Sequence, residues 1–412
     1  MSSTLIRPLG GFEQMFWLRA QTTTVHFTLA GEVEGATSPA QWAAALNTIQ
    51  QIHPMLSVGI RQEKDSSLWF EHRPGQPIPF RVVVGKEGLR WEAELEKELA
   101  LPFENDAAPL MRAVLVHYPD KCIIMLVAHH SIADGLSLSY IIRDLLEVLR
   151  GKTLTPFAFP PSVDQLVGLT GEALKGPPFM VGRTPLRLVE KTKIIPRMYT
   201  QRLTPELTAR LIRLSHEEGC TVHGAVISAL VSAGRSVFPK WKEKELRVLS
   251  PMSVRNLSGA GEECALRLGA KMMAFRPEEN RSFWDLSRFV RAVITEAARL
   301  ETIKEDTTGL RKFVDGMDVA GSEAVSERFN RELVVSNIGR VGYDTRFGWL
   351  RLTGLWGPSI HSGFEDEFSM ALCTVDDSCC LLVTSREPNG QLLLAETVKL
   401  LERYSNVYVS QQ

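Results

Sequence analysis

Apolar positions along the chain change period repeatedly, and the changes divide it into short strands and amphipathic helices. Residues 24–33 alternate apolar and polar positions, as a half-buried strand does. Residues 38–52 carry apolar side chains on one helical face, and His53-Pro54 ends that helix. Short strands are predicted at 68–72 and 80–84, a helix at 91–100 and a strand at 109–118. The run 121–127 is apolar throughout, which predicts a buried strand, and Pro119-Asp120 would make it the hairpin partner of 109–118. Helical spacing returns at 136–149, with Leu138, Ile141, Ile142, Leu145, Leu146 and Leu149 on one face.

The pattern then breaks. Residues 153–185 hold Pro156, Pro160, Pro161, Pro177, Pro178 and Pro185, which predicts a crossover between an N-terminal lobe (1–152) and a C-terminal lobe (187–412), with 153–186 as the linker. Its apolar residues imply that it lies against the protein surface. Beyond it, 204–218 reads as a helix, with Thr204 as N-cap and Pro205 at its first position. A small-residue helix is predicted at 222–237 and an amphipathic one at 283–301. Strands are predicted at 245–252, 271–275, 333–337, 369–375 and 379–384, and a closing helix at 391–404. The whole is an α+β chain in two halves of similar flavour, without a sequence repeat.

Composition narrows the partners. At 412 residues the chain exceeds one ordinary core. A net charge of -1 gives no electrostatic case for nucleic acid or an acidic membrane surface. No apolar run approaches a membrane span, and residues 1–20 lack a signal-peptide core. Six cysteines without zinc spacing read as reduced thiols of a cytoplasmic protein.

Chemistry concentrates after the buried strand, in His129-His130-Ser131-Ile132-Ala133-Asp134-Gly135. A histidine with a near-neutral pKa is suited to take a proton from a hydroxyl or amine attacking an acyl carbon. Adjacent side chains at a strand end point to opposite sides, so only one of the two histidines can face a given cleft. Asp134, just ahead of a helix, can cap its amides or bind an arginine, and Gly135 suits a tight turn. Each residue alone would more often be structural, but the combination outweighs that reading. Zinc is the other chemistry to weigh; adjacent histidines chelate one ion poorly and no third ligand stands near. No serine or cysteine sits in a nucleophile-elbow context, so no acyl-enzyme is expected.

The segment His129–Gly135 resembles the HHxxxDG signature of the superfamily of condensation domains and acyl-CoA-dependent acyltransferases. That superfamily includes nonribosomal-peptide condensation domains, polyketide-associated acyltransferases, alcohol acetyltransferases, plant BAHD enzymes and chloramphenicol acetyltransferase. The helix at 38–52 followed by His53-Pro54-Met55-Leu56 is similar to the family's first helix and turn. Ser250-Pro251-Met252-Ser253-Val254-Arg255 and Val335-Ser336-Asn337-Ile338-Gly339 resemble elements of its second half, the latter in the polyketide-associated branch. Arg346-Phe347-Gly348-Trp349-Leu350 stands where BAHD enzymes carry DFGWG but lacks its aspartate and final glycine, which favours the free-standing bacterial or fungal branch. This stretch also reads as a turn, or as an ordinary strand with a buried tryptophan.

The resemblance implies two chloramphenicol-acetyltransferase-like lobes, each a mixed sheet with flanking helices, with a tunnel between them. It implies an acyltransferase, of the class transferring groups other than aminoacyl groups, in natural-product or lipid biosynthesis. His130 would be the general base, His129 a supporting residue, and Asp134 the partner of an arginine, for which Arg255 is the candidate by position. Ser336 and Asn337 would lie near the oxyanion. The donor would be a phosphopantetheine thioester, acyl-CoA or a carrier protein, used as co-substrate with no bound cofactor or metal. The acceptor would be an alcohol or an amine. Basic residues gather at Arg183, Arg187, Lys191, Lys193 and Arg197, and again at Arg331, Arg340, Arg346 and Arg351; such runs are usually solvated faces, and Arg340 and Arg346 are candidates for docking the anionic donor. Two rival readings share the pattern: a free-standing condensation enzyme joining two carrier-bound substrates, and a non-catalytic recruiting module, which the intact second histidine disfavours.

Overall fold

The computed structural model describes residues 4–21, 23–64, 67–169, 195–258, 261–279, 281–314, 331–360, 367–386 and 388–406. In chain order, the first half runs β1 (Thr4–Pro8), α1 (Gly11–Ala20), β2 (Phe27–Glu34), α2 (Pro39–Ile52), β3 (Val58–Gln62), β4 (Leu68–His72), β5 (Phe80–Val84), α3 (Glu92–Ala100), β6 (Met111–His117), β7 (Lys121–Ala128), α4 (Gly135–Leu149) and α5 (Val163–Leu166). The second half runs β8 (Arg197–Arg202), α6 (Pro205–Glu217), α7 (Val222–Val237), β9 (Leu246–Ser253), α8 (Arg255–Ser258), β10 (Leu268–Phe275), α9 (Phe283–Ala297), α10 (Leu300–Val314), β11 (Leu333–Arg340), β12 (Arg346–Phe347), β13 (Leu350–Ile360), β14 (Phe368–Val375), β15 (Ser378–Ser385) and α11 (Gly390–Asn406).

These strands form two six-stranded mixed sheets and one small antiparallel sheet. The first large sheet has the order β12-β13-β2-β7-β6-β5, the second β10-β9-β11-β14-β15-β8, and the small one β1-β4-β3. The hairpin of β6 and β7 forms as the sequence implies, with His117 opposite Cys122 and Met111 opposite Ala128. On β7 every residue after Lys121 is buried: Cys122, Ile124, Leu126 and Ala128 lie in the core that holds the apolar faces of α2 and α4, and Ile123 and Met125 in the cluster with Leu95 and Leu99 of α3. In α4 the apolar stripe of Leu138, Ile141, Ile142, Leu145 and Leu146 is fully buried in the first core.

β12 and β13 come late in the chain, yet they complete the first sheet. β13 pairs antiparallel with β2, Arg351 opposite Glu34 and Ile360 opposite Phe27. The sequence hides this strand, because Gly354, Gly357 and Pro358 interrupt its pattern. Gly357, at a φ of 128°, takes a left-handed conformation, and a Cβ there would stand 2.7 Å from the carbonyl oxygen of Thr28.

Three other expectations change. The helix expected over 283–301 is two helices, α9 and α10, because α9 ends at a C-cap on Ala298. The stretch 346–350 is a hairpin turn at Gly348 and Trp349, and Trp349 is 54% exposed, so it is not a buried strand tryptophan. Gly135 is not among the positive-φ residues and makes no tight turn; it opens α4, where a Cβ would meet Pro358 Cγ of β13 at 2.8 Å.

Within the expected linker, 153–169 packs on the first core through Leu154, Phe157 and Phe159. Arg7 and Arg267 donate to the carbonyls of Pro160 and Pro161. Residues 170–186, with Arg183, and also Arg187, Lys191 and Lys193, lie outside the described residues. All six cysteines are free and buried. Among the described residues no helix is long and apolar enough to cross a membrane.

Candidate active site

The signature segment leaves the end of β7 in a tight loop and enters α4 at Gly135. Asp134 is the N-cap: its carboxylate accepts from the Ser137 amide at 2.7 Å. Two groups from the second half meet the same carboxylate. The Arg255 guanidinium stands 3.3 Å away and the Arg267 amide donates at 2.9 Å. Burial alone would raise the pKa of this carboxyl, but Arg255, with the amides of Ser137 and Arg267, holds it below the ordinary value. Arg255 also donates to the Ser137 hydroxyl at 2.8 Å and to the carbonyls of Gly261 and Glu263.

Residues 261–267 therefore fold over the start of α4. The Cys264 amide donates to His53 Nδ1 at 3.1 Å, and His53 Nε2 donates to Asp144 at 3.0 Å. The turn after α2 is thus a fastening point between the halves. Ser137 and Ala265 add a second one, at 2.7 Å.

Four and five residues upstream of the Asp134 cap, the histidines diverge. His129 is buried, accepts from the Ser131 amide at Nδ1 and meets the edge of Phe103. His130 lines a cavity between the two large sheets. Its Nδ1 lies 3.0 Å from the carbonyl oxygen of Ala133. A carbonyl only accepts, so Nδ1 carries the proton and Nε2 keeps its lone pair. The ring stacks on Phe16 at 4.1 Å and tilts against Phe27 at 4.4 Å, which fixes its plane. Burial pushes its pKa down to about 4, against the opposing pull of the Ala133 carbonyl and Asp134, and the nearby Arg19 adds to the lowering. The imidazole is therefore neutral at pH 7, more firmly so than a near-neutral pKa implies.

The cavity has a volume of about 140 Å³. α1 supplies Phe12, Met15, Phe16 and Arg19; β9 supplies Leu249, Pro251, Met252 and Ser253; β13 supplies Pro358 and Ile360. Ser336 and Asn337, on β11, also line it. Asn337 marks an irregularity in the β11–β14 pairing, and its side-chain oxygen accepts from the Gly339 amide at 2.7 Å. Asp134 and Gly135 reach the wall as well, whereas Arg255 is not part of it.

Of the expected basic cluster, Arg331 is buried in the cavity wall and paired with Glu367 at 2.8 Å. Arg340 and Arg346 are exposed and lie away from the cavity wall. Arg340 donates to the carbonyl of Asp376, and Arg351 pairs with the carboxylate of Asp376 at 2.9 Å. Arg19 and Arg267 had no reading in the sequence. Their signal is a charged residue inside an otherwise apolar segment: Arg19 follows Met15-Phe16-Trp17-Leu18, and Arg267 follows Cys264-Ala265-Leu266. Burial and the neighbouring Arg331 lower the Arg19 guanidinium to about 10. Among the described residues no group of three metal-ligating side chains gathers.

Residues 15–161 match the family model described as Condensation domain. One of the plipastatin synthase subunits of Bacillus subtilis (strain 168) is 24% identical over 327 residues, which are 74% of this chain and 9% of that relative. The chain thus spans less than a tenth of that relative's length. The fold is similar to that of polyketide synthase associated protein 5 from Mycobacterium tuberculosis, with a TM-score of 0.69 at 14% identity over 99% of this chain and 100% of that one. It is also similar to TRI3 trichothecene 15-O-acetyltransferase from Fusarium sporotrichioides, with a TM-score of 0.66 at 11% identity, covering 97% and 94% of the two chains.

Proposed function

We propose that the chain is a member of the HHxxxDG condensation and acyltransferase superfamily, a reading supported by the match of residues 15–161 and by the shared fold, and that it moves an acyl group from a phosphopantetheine thioester to a hydroxyl or amine, with His130 as general base. The observation that carries this reading is the Nδ1 contact to Ala133, which leaves a neutral Nε2 on the ring that lines the cavity. In the proposed step Nε2 takes the acceptor's proton as its oxygen or nitrogen bonds to the thioester carbon. The tetrahedral intermediate then collapses, the carbon–sulfur bond breaks, and the departing thiolate takes the proton back from the imidazolium. No covalent enzyme intermediate and no bound cofactor enters.

Asp134 acts at one remove. It caps α4 and is fixed by Arg255 and the Arg267 amide, so it sets the peptide whose carbonyl, that of Ala133, aims the imidazole. Ser336 and Asn337 are the proposed neighbours of the oxyanion, on the strength of lining the same cavity. Arg340 and Arg346 are proposed contacts for the donor's anionic carrier or nucleotide.

A second reading has support of its own. The match of residues 15–161 and the likeness to a plipastatin synthase favour joining two carrier-bound substrates. Both readings use the same base and differ only in what brings the acceptor.

The test is to incubate the protein and its His130→Ala variant with acyl-CoA and with acyl-carrier-protein donors, against mixed alcohol and amine acceptors, and to read products by mass. Ester or amide formed by the wild type alone supports the proposal. Product formed equally by both proteins refutes His130 as the base. Product only when both partners are carrier-bound favours the second reading.

A further inference from the structure

A second, much smaller cavity of about 10 Å³ lies beside the main one, and the two share three wall residues: Phe12 of α1, Met252 of β9 and Ala270 of β10. Behind those three, the small cavity is lined by Gly269, Ala297 and Ile303, and it ends at Thr307 and the exposed Asp306 of α10. The wall between them is made of half-buried side chains on a floor of small residues. A Cβ on Gly269 would already stand 3.3 Å from Ile303 Cδ1. Phe12 and Met252 are long, apolar and half-buried, Phe12 at the margin of the first core, and a small unfilled space lies beyond them.

We infer that Phe12 and Met252 form a partition that sets how long an apolar chain the main cavity accepts, with the space beneath α10 as its extension. The inference rests on the acyl-transfer reading for its choice of ligand, an acyl chain entering from the side of His130. A chain that displaced the Phe12 ring would pass over Ala270 into the small cavity and gain buried apolar area. Each further buried methylene would tighten binding about fourfold. A bulkier residue at 270 would close the passage.

Binding decides this without turnover. Wild type, Phe12→Ala, Met252→Ala and Ala270→Leu are titrated calorimetrically with a graded series of alkyl pantetheine thioethers, which cannot transfer an acyl group. Thermal melting checks that each variant is folded. In the wild type, affinity rises with chain length and then stops. Phe12→Ala, or Met252→Ala if the former does not fold, continues to tighten about fourfold per methylene beyond that length. Ala270→Leu stops earlier. A stopping length that is the same in all the folded proteins overturns the inference, and so does a wild type that binds none of the series. If the limit moves as stated but no thioester donor is ever turned over, the acyl-transfer reading fails and the partition stands.

Discussion

His130 Nδ1 and the carbonyl oxygen of Ala133 are 3.0 Å apart within one loop, so the residue three positions on decides which nitrogen of the imidazole is free. The carbonyl fixes the tautomer, and Phe16 and Phe27 fix the ring plane. Replacing His130 with alanine should leave the fold intact, because the ring lies on the cavity wall, and should lower kcat/KM for acyl transfer by about 10²–10⁴. Circular dichroism and steady-state kinetics on the same samples check both halves of that statement.

The pH dependence of activity follows from the same burial. His130 is pushed down to about 4, so it stays unprotonated through the range in which an exposed histidine titrates. The acid limb of kcat/KM should fall near pH 4. A limb near pH 6.5, the ordinary histidine value, would count against the dry environment argued for His130.

Stability should carry a second signature at higher pH than the carboxylates do. His223, on α7, is also pushed down to about 4 by burial, beside the Ser250 hydroxyl at 2.6 Å. Both imidazoles bind a proton in the unfolded chain near pH 6.5 but not in the folded one until about pH 4. The unfolded state therefore holds more protons between those values, and stability should fall as pH drops from 6.5 toward 4. Asp134 is held below its ordinary value, so its contribution is lost only at lower pH, as the carboxylate itself protonates. Urea midpoints across pH for wild type and His223→Phe separate the terms: the variant should show a shallower slope in that window.

Arg255 and Asp134 form a buried pair across the two halves. Arg255→Met leaves the carboxylate with only uncharged donors, the Ser137 and Arg267 amides and the Ser137 hydroxyl, and the loss of one partner of a buried pair costs about 3–5 kcal/mol. Arg255→Met combined with Asp134→Asn should cost less than the sum of the single changes, because no buried charge is then stranded. A double-mutant cycle in urea measures this directly.

Gly135→Ala should be destabilising by about 1–3 kcal/mol, since the new Cβ meets Pro358 Cγ at 2.8 Å. If that contact is the cause, Pro358→Ala should restore part of the loss in the double variant; if Gly135 were instead needed for its backbone freedom, it would not.

Legibility in the sequence followed the range of the interactions. β7 and α4 were readable because a continuous apolar run and a helical stripe are local signals, and the signature between them sat where they placed it. α1 was not, because it is buried nearly all round, with Glu13 and Arg19 inside it, and so has no amphipathic period. β13 was not, because Gly354, Gly357 and Pro358 interrupt it and its partner β2 lies near the other end of the chain. The fold of residues 261–267 over Asp134 was invisible for the same reason: Arg255 could be named by position, and the charge of Arg267 after an apolar run signals burial but not that Asp134 of the first half is its neighbour.

β13 also governs how this molecule could be taken apart. A chain cut between the two halves would not yield two self-sufficient pieces. The N-terminal fragment would present the bare edge of β2, a row of unpaired amides and carbonyls that invites association with any extended strand. The C-terminal fragment would carry an orphan strand with no sheet to join. Co-expressed fragments should therefore assemble by strand complementation or aggregate separately. In the intact chain the two halves cannot part without breaking the pairing of β13 with β2.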